Sequence, residues 1–335
     1  MIKKPLITVG IPTFNRCNEL DNSLKAIYNE IVSLDQHIEL LISDNNSNDN
    51  TKGIIDKWSK KLKITYIKNL KNIGFDRNVD NVMKHASGDY VLIMSDDDIL
   101  IKGSLKLYLD ALNEVKEAIV FIGKARFMNY DLTQESFDFR DKAFDNFKDT
   151  KMYFFKNGEQ LFSFSKKFFC GISGLMFKKD NYINEDLDDF KDSQFIHSAA
   201  IFKILSKKES KVCVINKPCF LYRMGKTNNS KIKTGSEIFT VGFGLLNLLN
   251  DVKKFYDTKV WMTLYQKELN WVRSLVLGVK AREGLSKKAR LSFKNCLNKD
   301  RKWKIIDHIL INSPDSIYRF PYKIYRLIRY KKISL

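Results

Sequence analysis

The chain has 335 residues, 44% of them hydrophobic and 29% charged, with a net charge of +19, which is the composition of a globular protein. MIKKPLITVG lacks the apolar core of a signal peptide and no apolar run reaches the ~18 residues of a membrane span, so we expect a soluble or peripheral cytoplasmic protein. Five scattered cysteines without CxxC spacing favour reduced thiols over a disulfide framework or a zinc site.

The first 125 residues alternate predicted strands with predicted helices. The strands are short apolar runs: KPLITVGIP (4–12), IELLISD (38–44), ITYIKN (64–69), YVLIM (90–94) and AIVFI (118–122). Between them apolar residues recur at helical spacing, as Leu20, Leu24, Ile27 and Ile31 do in the first helix. Apolar strands separated by amphipathic helices indicate an α/β fold with a mostly parallel sheet covered by helices on both faces.

The remainder of the chain is less regular. Residues 126–170 carry no clear period, whereas 173–179 and 212–223 have the composition of strands that flank a helix near 193–206. From residue 236 onward the pattern becomes helical and basic, with 21 Lys and Arg against 8 Asp and Glu. We therefore expect an α/β domain over 1–235 and a basic helical region over 236–335.

The basic region indicates anionic partners such as nucleic acid, phospholipid head groups or a phosphorylated substrate, with solubility alone as the plain alternative. Its last segment, SIYRFPYKIYRLIRYKK, places apolar side chains on one helical face and Arg319, Lys323 and Arg326 on another. Interleaved tyrosines suit the head-group region of a membrane. The segment therefore predicts either a helix on an anionic membrane surface or a helix packed on the domain.

Polar residues follow the predicted strands where each strand ends. The first strand leads into Pro12–Arg16, the second into Asp44–Asn46, and the fourth into Asp96–Asp98. Ligands bind beyond the carboxyl ends of strands in an open parallel sheet. The chain has no GxGxxG after the first strand and no GxxxxGK[ST], which argues against a dinucleotide fold and a P-loop.

Grouped carboxylates repel one another unless a cation lies between them, and hard oxygen ligands suit Mg²⁺ or Mn²⁺. Such a cation would also neutralise a diphosphate. The plain alternative is a solvated loop in which Asp98 or Ser104 caps the next helix. Because Asp44 stands at the neighbouring strand end, we expect Asp44 and Asp97 to share one hollow that binds a divalent cation.

Four blocks of the sequence resemble a known family: ITVGIPTFNR, LLISDNNSNDNT, NIGFDRNVDNVMKHASGDY and IMSDDDIL. In order and spacing they are similar to the nucleotide-sugar-dependent glycosyltransferases of family 2, which have the GT-A fold. SDN after the second strand, an N-x-G-x-x-R-N block and SDD resemble the abequosyltransferase-like enzymes of bacterial O-antigen assembly. The resemblance covers roughly 1–235 and fades after 125.

The resemblance implies a donor nucleotide site, with a nucleoside pocket, an acceptor for the base and positive charge near the phosphates. Its implied members are Pro12, Thr13, Asn15, Arg16, Asp44, Asn46, Gly74, Arg77, Ser95, Asp96, Arg223, Asn229 and Ser230. Arg223, Asn229 and Ser230 belong to LYRMGKTNNSK, which resembles a loop that closes over the diphosphate. The glycine at 74 would allow close approach of the backbone to the nucleotide.

Metal ligation is implied for Asp97 and Asp98. Aligning IMSDDDIL on the family's F-L-D-x-D-D-L-L places Ser95 where the first motif aspartate is expected and Asp97 at the second, which holds the metal. A shift by one residue would instead pair Asp96 with Asp98. The serine is a departure from the family's pattern and bears on the requirement for Mn²⁺ or Mg²⁺.

Inverting transfer to a hydroxyl requires a general base opposite the leaving diphosphate. The family usually carries an Asp or Glu at the start of a helix after the acceptor-side strand, where this chain offers Asp189, Asp192 and His197. We take Asp192 and His197 as the candidate catalytic residues. The alternative for His197 is a histidine on a helix face with no role in the reaction.

The sequence therefore predicts an inverting glycosyltransferase that moves a sugar from a nucleoside diphosphate sugar to a glycan or a polyprenyl-diphosphate-linked sugar. We expect it to act at the cytoplasmic face of the membrane, without a nucleic-acid partner. One alternative is a metal-dependent nucleotidyltransferase, although PTFNRCN stands where a glycine- and lysine-rich loop is expected. Another is a non-catalytic nucleic-acid-binding protein, which leaves the acidic strand ends unexplained.

Overall fold

A computed structural model describes residues 4–34, 38–136, 143–148, 150–167, 169, 171–224, 236–282, 284, 286–287, 290–291, 294 and 305–318. The chain forms two compact units, Met1–Thr227 and Asn228–Leu335. The first is an α/β unit and the second is helical. The boundary predicted at residue 235 stays a prediction.

The α/β unit is built on one sheet of nine strands in the order β3-β2-β1-β4-β8-β6-β9-β5, with β7 paired to β9. The strands are β1 Ile7–Thr13, β2 Ile38–Asp44, β3 Ile64–Lys68, β4 Tyr90–Ile93, β5 Ile99–Leu100, β6 Val120–Met128, β7 Met152–Phe155, β8 Leu175–Lys178 and β9 Val212–Arg223. The first four strands pair in parallel. Strand β8 runs antiparallel to β4 and β6, whereas β6 and β9 are parallel.

Helices connect these strands. They are α1 Cys17–Ile31, α2 Thr51–Ser59, α3 Phe75–His85, α4 Ser104–Glu114, α5 Gly158–Ser165, α6 Lys179–Ile183 and α7 Ile196–Leu205. The apolar face predicted for the first helix, from Leu20 to Ile27, is fully buried against the sheet core. Helix α3 crosses the sheet so closely that a Cβ on Gly10 would lie 2.2 Å from Cγ1 of Val82, which explains the glycine in the middle of β1.

Three features of the sheet differ from the expectation. The strand predicted at 118–122 extends through Met128, because its second half pairs along β9. The two-residue strand β5, directly after the acidic run, was not predicted and pairs antiparallel with β9. The unassigned stretch before residue 170 contributes β7 and α5.

The helical unit consists of α8 Ser236–Val252, α9 Thr258–Arg282 and α10 Ile305–Asn312, with short 3₁₀ turns. Its buried apolar side chains include leucines of α8 and, in α9, three valines with Trp261, Leu264, Tyr265 and Leu269. Among the described residues, no helix has both the length and the apolar character needed to cross a membrane. Residues 319–335, which carry most of the predicted amphipathic segment, lie outside the described residues.

Candidate active site

The carboxyl ends of β1, β2 and β4 meet at one edge of the sheet. In the parallel register Thr13 at the end of β1 lies beside Asp44 at the end of β2. On the other side, the backbone N–H of Met94 donates to the carbonyl of Gly10 at 3.0 Å, which brings the acidic run after β4 to the same edge. The polar residues predicted at three strand ends are therefore neighbours.

Asp96 points into this edge and is buried. The hydroxyl of Thr13 donates to its Oδ2 at 2.8 Å, and Nη1 of Arg16 donates to its Oδ1 at 3.1 Å. Burial raises the pKa of Asp96 to about 6, although the Arg16 charge acts in the opposite direction. The carboxylate is thus held in a site that compensates only part of its lost solvation.

Asp97 is the more accessible carboxylate, with 25% of its side chain exposed. Its Oδ1 accepts a hydrogen bond from the hydroxyl of Ser95 at 2.6 Å, and its Oδ2 accepts one from Nη1 of Arg16 at 2.5 Å. Ser95 therefore orients the Asp97 carboxylate, while its implied match to the first motif aspartate stays a prediction. A single guanidinium nitrogen contacts both Asp96 and Asp97.

Asp98 faces the protein interior and is 1% exposed. Its Oδ2 accepts the hydroxyl of Ser173 at 2.5 Å, and its Oδ1 accepts the backbone N–H of Arg223 at 2.9 Å. Burial raises its pKa. These two bonds tie the acidic run to Ser173, just before β8, and to the end of β9. The predicted role of Asp98 as a metal ligand stays a prediction.

Arg223, at the end of β9, supports the acidic run from behind. Its Nε donates to the carbonyl of Asp97 at 2.8 Å and its Nη1 to the carbonyl of Tyr130 at 2.5 Å, and its guanidinium lies 5.3 Å from the Tyr130 ring centre. The Tyr130 hydroxyl in turn donates to Glu19 of α1. Sequence reasoning missed Tyr130. Asn229 and Ser230 lie outside the described residues, so their predicted role stays a prediction.

Asp44 and Asp97 have different hydrogen-bond partners. Asp44 is fully buried, and it accepts the backbone N–H of Ser47 and the hydroxyl of Tyr66, both at 2.8 Å. None of these partners contacts Asp97 among the described residues. Asp44 and the acidic run therefore belong to two adjoining hydrogen-bond networks, and the hollow that we expect them to share stays a prediction.

The loop between β1 and α1 joins the two networks. The backbone N–H of Asn15 donates to the Ser47 hydroxyl at 2.9 Å, and the Asn15 side chain accepts the N–H of Asn48 at 2.7 Å. Asn15 and Asn46 both adopt positive φ angles, 53° and 66°, which asparagine tolerates. Pro12 and Thr13 are buried at the end of β1 directly before this loop. The predicted nucleoside residues therefore lie together.

An asparagine network supports the Gly74 turn. The amide of Asn45 donates to Asn72 at 2.9 Å and to the carbonyl of Gly74 at 3.2 Å, and Asn69 donates to both Asn45 and Asn78 at 3.1 Å. Gly74 has φ 88° and open space where a Cβ would stand. The network was missed by sequence reasoning, although the density of asparagines in LLISDNNSNDNT and NIGFDRN was a signal for it.

The candidate bases differ in accessibility. Asp192 has 80% of its side chain exposed and forms two hydrogen bonds with Arg77, one of them from Nη2 at 3.0 Å. The Arg77 hydrogen bond holds the pKa of Asp192 below its usual range. His197, by contrast, is 3% exposed, with its ring edge-on to Phe75 at 6.1 Å. Asp192 is thus open to solvent and His197 lies inside the protein, and which of them acts as the base stays a prediction.

Comparison with known families decides the identity of this fold. The model of the family described as Glycosyl transferase family 2 matches residues 8–182, which are just over half of the chain. The chain belongs to glycosyltransferase family 2. As an enzyme of this family it is a transferase, and the nucleotidyltransferase and nucleic-acid-binding alternatives are set aside.

Two curated relatives cover most of this glycosyltransferase. It is 28% identical over 268 residues to the abequosyltransferase RfbV of Salmonella typhimurium, with 76% of this chain and 77% of the relative covered. It is 27% identical over 251 residues to the GalNAc(5)-diNAcBac-PP-undecaprenol β-1,3-glucosyltransferase of Campylobacter jejuni, with 73% of each covered. The predicted resemblance to the abequosyltransferase-like enzymes is confirmed.

Solved structures share the fold at lower identity. TarS 1-349 of S. aureus in complex with UDP has a TM-score of 0.62 at 13% identity, covering 96% of this glycosyltransferase and 91% of that chain. The mannosyltransferase PcManGT of Pyrobaculum calidifontis, in complex with GDP-Man and Mn²⁺, has a TM-score of 0.57 at 12% identity, covering 97% and 84%. The predicted GT-A-like α/β fold is confirmed.

The carboxylates of this glycosyltransferase have the chemistry of a divalent-cation site. Oδ1 of Asp96 and Oδ2 of Asp97 converge on one positive atom, Nη1 of Arg16, and hard oxygen donors suit Mg²⁺ and Mn²⁺. Among the described residues, no three His, Cys, Asp or Glu side chains are grouped so that they could hold a metal. The two carboxylates fit a cation whose remaining coordination positions would be filled by phosphate oxygens and water.

Proposed function

We propose that this glycosyltransferase moves a sugar, with inversion, from a nucleoside diphosphate sugar to a hydroxyl of a lipid-linked or growing bacterial surface glycan. The observation that carries this proposal is the convergence of Asp96 and Asp97 beside the β1–α1 loop, at the edge of the sheet where ligands bind. The names of the Salmonella and Campylobacter relatives, an abequosyltransferase and a glucosyltransferase with a PP-undecaprenol-linked substrate, support the substrate class.

The donor nucleotide would lie over the turns that follow β1 and β2. Asn15 and Asn46 hold these turns in left-handed backbone conformations, and the open space at Gly74 admits a ligand close to the backbone. Arg16 is half exposed and would donate to the phosphates. Asp97 and Asp96 would hold a divalent cation, whose charge would offset the negative charge that develops on the departing diphosphate.

The acceptor hydroxyl would lose its proton to Asp192. This carboxylate is exposed and oriented by two hydrogen bonds from Arg77, which also lower its pKa. A positioned base of this kind contributes about 10²- to 10⁴-fold to a proton-transfer step. Arg77 thus serves the base rather than the nucleotide, a role different from the one that the resemblance implies.

The proposal is tested by thermal unfolding with UDP, CDP, GDP or TDP, each with and without Mn²⁺. A ligand at ~100 times its Kd stabilises the folded state by about 2.7 kcal/mol, so one nucleotide is expected to raise the Tm by several degrees when Mn²⁺ is present. Asp97→Ala is the matched control and should lose the Mn²⁺-dependent part of the shift. A chain indifferent to all four nucleotides would contradict the proposed function.

We also propose that the enzyme works at the cytoplasmic face of the membrane, because a polyprenyl-linked acceptor is anchored there and the region after residue 235 has a strong basic surplus. The full chain is expected to sediment with vesicles that contain phosphatidylglycerol and to remain in solution with phosphatidylcholine vesicles. A chain that stays in solution with both kinds of vesicle would contradict a peripheral location.

A further inference from the structure

Arg16 is placed where a cation between the two carboxylates would stand. Its Nη1 lies 3.1 Å from Oδ1 of Asp96 and 2.5 Å from Oδ2 of Asp97, and its other guanidinium nitrogens donate to no described residue. The side chain is 48% exposed. One nitrogen therefore neutralises both acids, while the remaining N–H groups stay available to a ligand from solvent.

The backbone of Arg16 is fixed by the helix, whereas about half of its side chain is exposed. The carbonyl of Arg16 accepts the N–H of Leu20 at 2.9 Å, in the first turn of α1. Asp96 is held from its other oxygen by Thr13, and Asp97 by Ser95. Removing the guanidinium would leave the two carboxylates in place, facing one position with no positive charge between them.

A divalent cation and Nη1 of Arg16 cannot occupy that position together, because the two positive charges repel and their volumes overlap. The cation therefore binds only when the guanidinium leaves. A new anionic partner for Arg16 would favour its departure, since this partner would replace the two carboxylates that the guanidinium gives up. A diphosphate has oxygens that can accept the guanidinium and oxygens that can bind the cation.

We propose that Arg16 acts as an internal counter-cation that excludes divalent metal from Asp96 and Asp97 until a nucleoside diphosphate arrives, so that metal and donor bind as a linked pair. This role of Arg16 rests on the proposed function, in which the donor is a nucleoside diphosphate sugar. It adds a reason why the metal binds only together with the donor. Linkage is reciprocal, so the nucleotide strengthens metal binding by the same factor by which the metal strengthens nucleotide binding. Each turnover then begins with a cleft that does not hold free Mn²⁺.

The test measures bound Mn²⁺ from the electron paramagnetic resonance signal of free Mn²⁺, using the full chain. The wild type is titrated alone, with inorganic pyrophosphate, and with UDP, CDP, GDP or TDP. We expect at least about tenfold tighter Mn²⁺ binding with one of these phosphates than without, within the usual range of coupling between sites. Arg16→Gln is expected to bind Mn²⁺ alone about tenfold more tightly than the wild type and to lose most of the gain from the phosphate.

Arg77→Gln is the matched control, because it removes the same charge from an arginine that pairs with Asp192 rather than with the acidic run. Its affinity for Mn²⁺ alone should equal that of the wild type. Arg16→Lys keeps the charge but offers a single shorter donor, so its affinity should lie between wild type and Arg16→Gln. Thermal unfolding of each variant verifies that the fold is retained, and Arg16→Lys carries the test if Arg16→Gln does not fold.

Two binding results would overturn the proposal: wild-type Mn²⁺ binding that is equally tight without any phosphate, or Arg16 variants that bind Mn²⁺ no more tightly than the wild type. Sugar transfer that continues in chelator with no Mn²⁺ bound would also overturn it and leave the proposed function intact. Failure of the function itself has a different signature, since no nucleoside diphosphate would then stabilise any of the proteins.

Discussion

The two compact units bury charged side chains in different ways. In the α/β unit, Asp44, Asp96 and Asp98 are buried and accept hydrogen bonds from hydroxyls and backbone N–H groups. The guanidinium that contacts Asp96 is itself half exposed. In the helical unit, Arg273 and Asp307 form two hydrogen bonds of 2.6 and 2.5 Å, with little of either side chain exposed.

The helical unit also contains a buried lysine whose charge has partners inside the unit. Lys280 is fully buried, and its ammonium donates to the carbonyls of Leu310 and Ser313 at 2.6 and 2.7 Å, which satisfies acceptors at the carboxyl end of α10. Its charge also lies 3.5 Å from Asp315. The charges of Arg273, Asp307 and Lys280 are thus matched by partners within the unit.

The difference distinguishes structural charge from functional charge. A buried ion pair whose partners are both inside the protein is self-contained, and removing one partner leaves an unpaired buried charge. A buried carboxylate that depends on a half-exposed cation is incomplete without a ligand, and such groups cluster at functional sites. Substitutions in the α/β cleft should therefore change chemistry, whereas those in the helical unit should change stability.

The strongest test of this contrast is Asp97→Ala. We expect kcat/KM to fall by about 10³-fold, since the variant loses the charge that would hold the cation at the departing diphosphate. Stability should change by less than about 1 kcal/mol, because the Arg16 pair is partly exposed. Initial rates of sugar transfer together with urea unfolding measure both. A variant with full activity would show that Asp97 is not the ligand.

The second test compares the candidate bases. Asp192→Asn should lower kcat/KM by about 10²-fold or more, as expected for the loss of a general base, with unchanged nucleotide binding. His197→Gln should retain activity within a few-fold and lose stability, because it places a polar amide among Phe75 and Phe195. The opposite pattern would transfer the role of base to His197.

The fold was predictable where burial alone decides structure. Strands β1, β2 and β4 are buried along almost their whole length, so they read as continuous apolar runs. Strand β5 was missed because two residues carry no periodicity, and the second half of β6 because Lys124 and Arg126 interrupt its apolar pattern. Its pairing with β9 is a tertiary effect that no local pattern contains.

The site was predictable only to the level of strand ends. Parallel strands bring their carboxyl ends together, which placed the acidic run correctly. The direction of each carboxylate depends on partners far away in the chain, since Asp98 is fixed by Ser173, 75 residues later, and by Arg223, 125 residues later. For the same reason the hydrogen bond from Tyr66 to Asp44 was not predicted.

The third test addresses the helical unit. Asp307→Ala should lower the free energy of unfolding by about 3–5 kcal/mol, because it leaves the Arg273 guanidinium buried without its bidentate partner. The double variant Arg273→Met, Asp307→Leu is the control and should recover much of this loss, since it removes both charges. Urea unfolding measures the change. If Asp307→Ala instead abolished nucleotide binding at full stability, the assignment of this pair to structure would be wrong.

The smallest effect concerns pH. The hydrogen bond from Arg77 holds the pKa of Asp192 below its usual range, so the base stays ionised to lower pH than a free aspartate. In Arg77→Gln that pKa should rise towards the ordinary value, and the acid limb of the kcat/KM profile should move to higher pH. The wild type should therefore retain activity at acidic pH values where the variant has begun to lose it.

This profile also separates the two candidate bases without removing either of them. A histidine ordinarily titrates at about pH 6.5 and an aspartate at about 3.9, so an acid limb well below pH 5 identifies a carboxylate. An imidazole base would place the limb near neutrality and, because Arg77 contacts Asp192, would leave it unmoved in Arg77→Gln. In that case Asp192, although it is exposed and paired with Arg77, would have a structural role. The rule that charges of the α/β cleft are functional would then not hold for Asp192.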